Sequence, residues 1–143
     1  IKWESFFDNV PYKDLEVTIV EQKCALGLPN AIYQTSSYIK EENFTFIFDL
    51  NYIKWVNPSY SLLVVKFMKQ LRMHINQLSY LKTSIMIINN DFVRGLAYYI
   101  FKIQKPISHV YLVSSKEHAE RIATGDESTK MMSVNIPPNT LLQ

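Results

Sequence analysis

Apolar and polar residues follow one another along the chain in blocks that predict alternating strands and helices. Residues 15–23 alternate apolar with polar side chains, which is typical of a half-buried strand. Residues 44–50, 83–88 and 107–113 are almost continuously apolar. Such runs are typical of strands that a parallel sheet buries on both faces. The pattern therefore predicts four strands.

Helical spacing follows each predicted strand. Residues 31–42 carry a modest helical stripe, and Pro29 suits its first turn. Residues 59–78 form the longest amphipathic stretch, and about 20 residues rise some 30 Å, enough to cross a sheet face. Its apolar positions are Val64, Phe67, Met68, Leu71, Ile75 and Leu78, and its polar positions are Lys66, Lys69, Gln70, Arg72, Asn76 and Gln77. Stripes at 93–101 and 119–123 predict two shorter helices.

Residues that favour helix ends mark the boundaries of the last two helices. The polar residues 89–91 suit the N-terminus of the third helix, and Pro106 stops it. Ser114 and Glu117 stand three residues apart, which predicts a capping box. Gly125 predicts the end of the last helix.

The predicted order, β-α-β-α-β-α-β-α, indicates an α/β fold in one domain spanning residues 15–125. We expect a mixed or parallel sheet of four to five strands with helices packed on it. Residues 1–14 form an arm with the large aromatic side chains Trp3, Phe6 and Phe7. Such an arm packs on its own domain, or docks on a partner chain or on a neighbouring domain, because exposing its rings forfeits their burial. Residues 126–143 are polar, and we expect a loose or docked tail.

Composition narrows the classes of partner. The chain of 143 residues carries 15 basic and 13 acidic side chains, and we find no block of like charge. We therefore expect no nucleic-acid partner. No apolar run reaches the roughly 20 residues of a membrane helix, so we expect no membrane insertion. Cys24 is the only cysteine, which rules out an internal disulfide and suits a reducing, cytoplasmic location.

The usual catalytic templates are absent from the sequence. There is no glycine-rich phosphate loop, and His74, His109 and His118 are scattered without metal-ligand spacing. Asp49 follows a buried strand, where it serves as a base, as a metal carboxylate or simply as a cap of the next loop. Cys24 has no cationic neighbour in sequence to lower its pKa. We predict no catalytic residue, cofactor or metal.

The remaining candidate site is the segment 57–61, which precedes and begins the long helix. Ser59 and Ser61 lie where unpaired backbone N–H groups and the helix dipole favour an anion. A phosphate on either serine would add about two negative charges to an otherwise apolar surface. The alternative interpretation is that Ser59 is a plain N-cap.

These residues carry a resemblance to a known family. A buried strand ending in Asp49-Leu50, a short connection, a serine that opens a long amphipathic helix and two further strand–helix pairs resemble the STAS domain, the anti-sigma-factor antagonist fold. The segment 57–63 is similar to the family's Asp-Ser-Ser-Gly-Leu motif. Asn57 takes the position of its Asp, Pro58 that of its first Ser and Tyr60 that of its Gly, while Ser59 matches the phosphorylated Ser. The resemblance covers about residues 15–125.

The resemblance implies a non-enzymatic, regulatory protein-interaction domain that acts through segment 57–61 and the long helix. Its partners would be proteins, with a second copy of the chain among them. The residues that we expect to take part in phosphorylation or contact are Asn57, Ser59, Tyr60, Ser61 and Asp49. The surface that we expect to meet a partner comprises Trp3, Phe6, Phe7, Lys66 and Met73.

A second hypothesis is a small α/β enzyme or nucleotide-binding domain. Its site would lie at the carboxyl ends of the strands and comprise Asp49, Asn57, Ser59, Asn89, Asn90 and Asp91. These polar residues all follow apolar strands, and in a parallel sheet such positions gather at one edge.

Overall fold

The computed structural model describes residues 43–51, 53–73, 80–126, 128 and 134–138. The predictions made for residues 1–42 lie outside the described residues. They include the aromatic arm with Trp3, Phe6 and Phe7, the strand at 15–23 and the helix at 31–42. Cys24, His74 and the side chain of Met73 also lie outside the described part.

Strands and helices alternate through the described part of the chain. In order they are β1 (Phe44–Asp49), α1 (Tyr60–Met73), β2 (Leu81–Ile87), α2 (Asp91–Ile103), β3 (His109–Val113), α3 (Lys116–Ala123) and β4 (Val134–Ile136). The predicted long helix begins one residue late, at Tyr60, and its described part ends at Met73.

The four described strands form one mixed sheet in the order β1-β2-β3-β4. β1, β2 and β3 are parallel, with Phe48 opposite Met86 and Met86 opposite Leu112. β4 runs antiparallel to β3 and places Ile136 opposite Val110. The predicted α/β fold, a mixed sheet with helices packed on it, is confirmed.

One face of the sheet packs against α1 and α2, which also contact each other. The buried cluster on this face contains Met86, Ile88, Val93, Phe101, Val110, Leu112 and Ile136, with Phe48, Leu50, Met68 and Ala97 packed against it. The rings of Phe44, Phe46 and Phe48 follow one another along β1, with centroids 5.1 and 5.4 Å apart. Alternate residues of a strand point to the same side, so this aromatic row faces the helix layer.

The opposite face packs against α3, which contacts β1, β2 and β3. Ile85 and Ile87 are fully buried and alternate with the residues of the first cluster, so they point to this side. α3 meets them with Ala119 and Ile122, which are also buried. The sheet is thus covered on both faces, as its apolar strands predict.

Helix ends agree with the sequence at most positions. The Asn90 side chain accepts hydrogen bonds from the backbone N–H groups of Phe92 and Val93, so Asn90 is the N-cap of α2. Gly125 has φ of 92°, and its N–H donates to the carbonyl of Ile122 while that of Asp126 donates to the carbonyl of Arg121. These two bonds are the Schellman arrangement that glycine favours.

One helix-cap prediction near the C-terminal end is wrong. The capping box of Ser114 with Glu117 does not form, because Ser115 is the N-cap and accepts from the N–H of His118. Consecutive serines make either register possible, and Glu117 instead pairs with Arg121 at 2.7 Å. The tail also contains a strand, β4, since its few apolar residues complete the ladder beside β3.

Candidate functional site

The segment between β1 and α1 is tied to the neighbouring connection between β2 and α2. The backbone N–H of Leu50 donates to the carbonyl of Ile87 at 3.0 Å. The N–H of Asn89 donates to the Oδ1 of Asn51 at 3.1 Å, and the Nδ2 of Asn90 donates to the carbonyl of Lys54 at 2.8 Å. These bonds hold both connections together at the carboxyl edge of the sheet.

Asp49 caps the connection that follows its strand. Its Oδ1 accepts from the N–H of Asn51 at 3.2 Å, and its Oδ2 lies 3.7 Å from the ammonium nitrogen of Lys116. Both charged side chains are largely buried. A carboxylate with this set of partners acts as a structural cap that links β1 to the start of α3.

The residues of the alternative strand-end site are brought together only in part. Asn89 and Asn90 meet the β1–α1 connection, and Asn90 uses its amide to cap α2. Asn57 and Ser59 bond to each other instead, with Ser59 N–H donating to the Asn57 Oδ1 at 3.1 Å. Within the described residues, no group of three or more His, Cys, Asp or Glu side chains could hold a metal ion.

Segment 57–61 forms the turn that starts α1. The N–H of Tyr60 donates to the carbonyl of Asn57 at 2.9 Å, and that of Ser61 donates to the carbonyl of Pro58 at 3.0 Å. Asn57 therefore supplies the cap expected from Ser59. The Ser59 side chain is exposed and caps no backbone N–H among the described residues. Ser61 is only 3% exposed, and its hydroxyl has no hydrogen-bond partner there.

Large apolar side chains are exposed around this turn. Trp55 is 68% exposed, Leu62 66% and Leu63 58%, and Tyr60 is exposed to a similar degree. On α2, Phe92, Tyr99 and Ile103 are about half exposed. α1 and α2 contact each other, and all these side chains are exposed on the two helices or on the connection before α1. We call this set the contact layer: Trp55, Tyr60, Leu62, Leu63, Phe92, Tyr99 and Ile103.

Three lysines and one acidic residue, Asp91, stand close in sequence to residues of the contact layer. Lys54, Lys66 and Lys69 are exposed, and their ammonium groups form no ion pair with any described residue. The contact layer is therefore apolar, with more basic than acidic side chains near it in sequence.

Two depressions lie on the other side of α2, towards β4. The smaller, of about 130 Å³, is lined by Tyr98, Lys102 and Ile136 among others. The larger, of about 460 Å³, is lined by Asp91, Arg94 and Val134 among others. The guanidinium of Arg94 donates from Nη2 to the carbonyl of Ile88, while its Nε has no partner among the described residues. Of the strand-end residues, only Asp91 lines either depression.

The described histidines lie apart from these features. His109 on β3 bonds through Nδ1 to the side chain of Asn135 at 3.1 Å, which supports the β3–β4 pairing. His118 is exposed on α3. Across the part of the chain that the structure describes, no helix is both long and apolar enough to span a membrane.

Comparison of the chain with protein-family models, with curated proteins and with solved structures found no match.

Sequence reasoning identified Tyr60 and Lys66 as surface residues but missed most of the contact layer. One signal was present. Residues 62–65 are four consecutive apolar residues in a helix, and helical geometry cannot turn all four towards the sheet. In the structure Val65 is buried, whereas the side chains of Leu62 and Leu63 are exposed.

Proposed function

We propose that this chain contains a non-enzymatic, regulatory protein-interaction domain of the STAS-like type, which contacts its partner through segment 57–61 and α1. The observation that carries the proposal is the exposure of Trp55, Tyr60, Leu62 and Leu63 around a single turn. Large apolar side chains that are exposed close together on a protein surface mark interaction sites. Fully burying one such side chain contributes about 1.5–3 kcal/mol, so a partner that covers several gains substantial affinity.

Two further features support an interaction role. The sequence resemblance places Ser59 at the family's phosphorylated serine, and the Ser59 hydroxyl is exposed. Asn57, Asn89 and Asn90 of the alternative strand-end site take part in hydrogen bonds that hold the connections after β1 and β2. The single cysteine suits action in the cytoplasm.

Site-specific photo-crosslinking of the full chain tests the proposal. A photoreactive residue replaces Leu62, and a matched control carries it at His118, which is exposed on the other side of the sheet. In extract of the source cells, we expect a defined protein adduct from position 62 and none from position 118. An excess of unmodified chain should suppress the adduct, whereas an excess of the Leu62→Asp, Leu63→Asp variant should not.

An adduct with the chain itself would identify the partner as a second copy, and light scattering would then show a dimer that the double variant abolishes. The absence of any protein adduct, or equal adducts from both positions, would contradict the proposal.

Modification at Ser59 tests the regulatory part. A carboxylate at this position adds negative charge to the edge of the contact layer, so we expect Ser59→Asp to weaken the position-62 adduct. Circular dichroism should remain unchanged because the native hydroxyl caps no backbone group among the described residues. Ser59→Ala is the matched control and should bind like the wild type. Equal adduct yields from all three proteins would leave Ser59 without a regulatory role.

A further inference from the structure

We propose that the contact layer receives an acidic amphipathic helix of a partner protein. This inference rests on the proposed interaction function and adds the chemistry of what binds. It comes from two independent observations, the three exposed lysines that adjoin the contact layer in sequence and the contact between the two helices that carry most of its apolar side chains.

Charge complementarity sets the sign of the partner. Lys54, Lys66 and Lys69 outnumber Asp91 among the charged residues that adjoin the contact layer in sequence. Lys54 adjoins Trp55 in sequence, while Lys66 and Lys69 follow Leu62 and Leu63 by one to two helical turns. A partner that covers the apolar side chains must therefore approach these ammonium groups. Carboxylates at its margin would be attracted, and lysines there would be repelled.

Geometry favours a helix as the docking element. α1 and α2 contact each other, and the ridges of side chains on the surface of a helix are the features against which a further helix packs. On α2, Phe92, Tyr99 and Ile103 recur at intervals of seven and four residues, so they line one side of the helix. An amphipathic helix with apolar residues at matching intervals can cover this layer in the helix-in-groove mode.

Other occupants fit the charge less well. Two copies meeting about a twofold axis through the contact layer would bring the same lysines together. A bilayer surface that contains anionic lipid would attract each of these lysines by about 1 kcal/mol, but it has no groove-filling shape. Both occupants are therefore outcomes of the test.

The experiment measures binding of defined probes to the full chain by fluorescence anisotropy and vesicle co-sedimentation. The first probe is a synthetic amphipathic helix of about 18 residues, or five turns, with Leu on one face and Glu on the other. The second has the same Leu positions with Lys in place of Glu. The third is an acidic peptide with its Leu positions scrambled. The fourth is a vesicle of equal parts phosphatidylcholine and phosphatidylserine.

We expect only the Leu/Glu helix to bind. The triple variant Lys54→Gln, Lys66→Gln, Lys69→Gln should bind it about tenfold more weakly, since several exposed charge contacts are lost together. The matched control is Lys82→Gln, which should bind like the wild type. Lys82 is exposed at the start of β2, outside the contact layer. Raising the ionic strength from about 0.1 M to about 1 M should weaken binding because it shortens the screening length.

Equal binding of the Leu/Lys helix would overturn the charge assignment, and equal binding of the scrambled peptide would overturn the helix. Binding to vesicles without binding to the Leu/Glu helix would assign the surface to lipid. Failure of the Leu/Glu helix to bind would also overturn the inference. If the position-62 crosslink to a protein still forms, only the chemistry of the partner is wrong. If that crosslink is also absent, the proposed function itself fails.

Discussion

The helices on the two faces of the sheet expose different side chains, although the same apolar strands contribute to both faces. α3 buries Ala119 and Ile122, and it exposes no large hydrophobic side chain. Its outer positions are charged, and Glu117 pairs with Arg121 one turn later. α1 and α2 bury an equally apolar inner side but expose six large hydrophobic side chains of the contact layer, and Trp55 just before α1 is the seventh. The α3 face presents charged side chains to solvent, whereas the α1/α2 face presents large apolar ones.

The largest expected difference between the two faces comes from truncating one large aliphatic side chain on each of them. Ile87→Ala, beneath α3, should lower the free energy of unfolding by about 2–5 kcal/mol, because it leaves a cavity at a fully buried position. Leu62→Ala, on the contact layer, should change it by less than about 0.5 kcal/mol. Urea denaturation followed by circular dichroism measures both. A loss at Leu62 as large as that at Ile87 would make Leu62 a core residue.

Replacing either of two glycines with alanine should change the stability of the fold, in opposite directions for the two positions. Gly125 ends α3 with φ of 92°, so Gly125→Ala should destabilise the fold by about 1–2 kcal/mol. Gly95 lies within α2, and an added Cβ would meet no atom within 4 Å. Gly95→Ala should therefore stabilise the fold by about 0.5–1 kcal/mol. Thermal unfolding monitors both, and shifts of the same sign would contradict the assigned backbone roles.

Serines at the starts of α3 and α1 provide a smaller contrast. Ser115 accepts from the N–H of His118, so Ser115→Ala should cost about 1 kcal/mol of stability. Ser59→Ala should be nearly neutral because its hydroxyl caps no backbone group among the described residues. Equal losses in chemical denaturation would mean that Ser59 is a structural cap, in which case its exposure loses its regulatory meaning.

The smallest expected effect concerns pH. Burial raises the pKa of Glu120 above its usual value, the charge of Glu117 raises it further and Arg121 opposes the shift. A carboxyl whose pKa is higher in the folded state favours folding while protonated. That contribution is present below the ordinary glutamate pKa and is lost as pH rises through the raised one.

Glu120→Gln should therefore unfold at a slightly higher temperature than the wild type at neutral pH, and the difference should vanish near about pH 3. Calorimetry at the two pH values measures it. Glu117→Gln is the control and should give no gain, because it removes the partner of Arg121. A Glu120→Gln difference that persists in acid would point to a cause other than titration.

Sequence patterns predicted the elements whose residues repeat regularly. β1, β2 and β3 are long apolar runs, and α2 has both a clear stripe and an asparagine cap, so local information sufficed. β4 has only three residues before two prolines, and its pairing depends on β3, more than 20 residues earlier in the chain. No local pattern could reveal that pairing.

The candidate site was predicted less completely than the fold. Periodicity predicted the stripe of α2 that faces the sheet, but it does not tell whether a neighbouring element covers the apolar residues beside that stripe. Phe92, Tyr99 and Ile103 are exposed residues of this kind. The resemblance to the STAS family stays a prediction, and so does the role it gives Ser59.

The hydrogen bonds between Asn51 and Asn89 and between Lys54 and Asn90 bear on the rate and the free-energy cost of binding the proposed partner. They fix the backbone on the N-terminal side of Trp55 before any partner arrives. Ordering a loop on binding costs free energy, and a surface whose backbone is already held avoids that cost. A partner should therefore meet Trp55 in a pre-organised position. Binding would then proceed with little backbone rearrangement, and mutations of Asn51 or Asn90 would slow association without touching the partner.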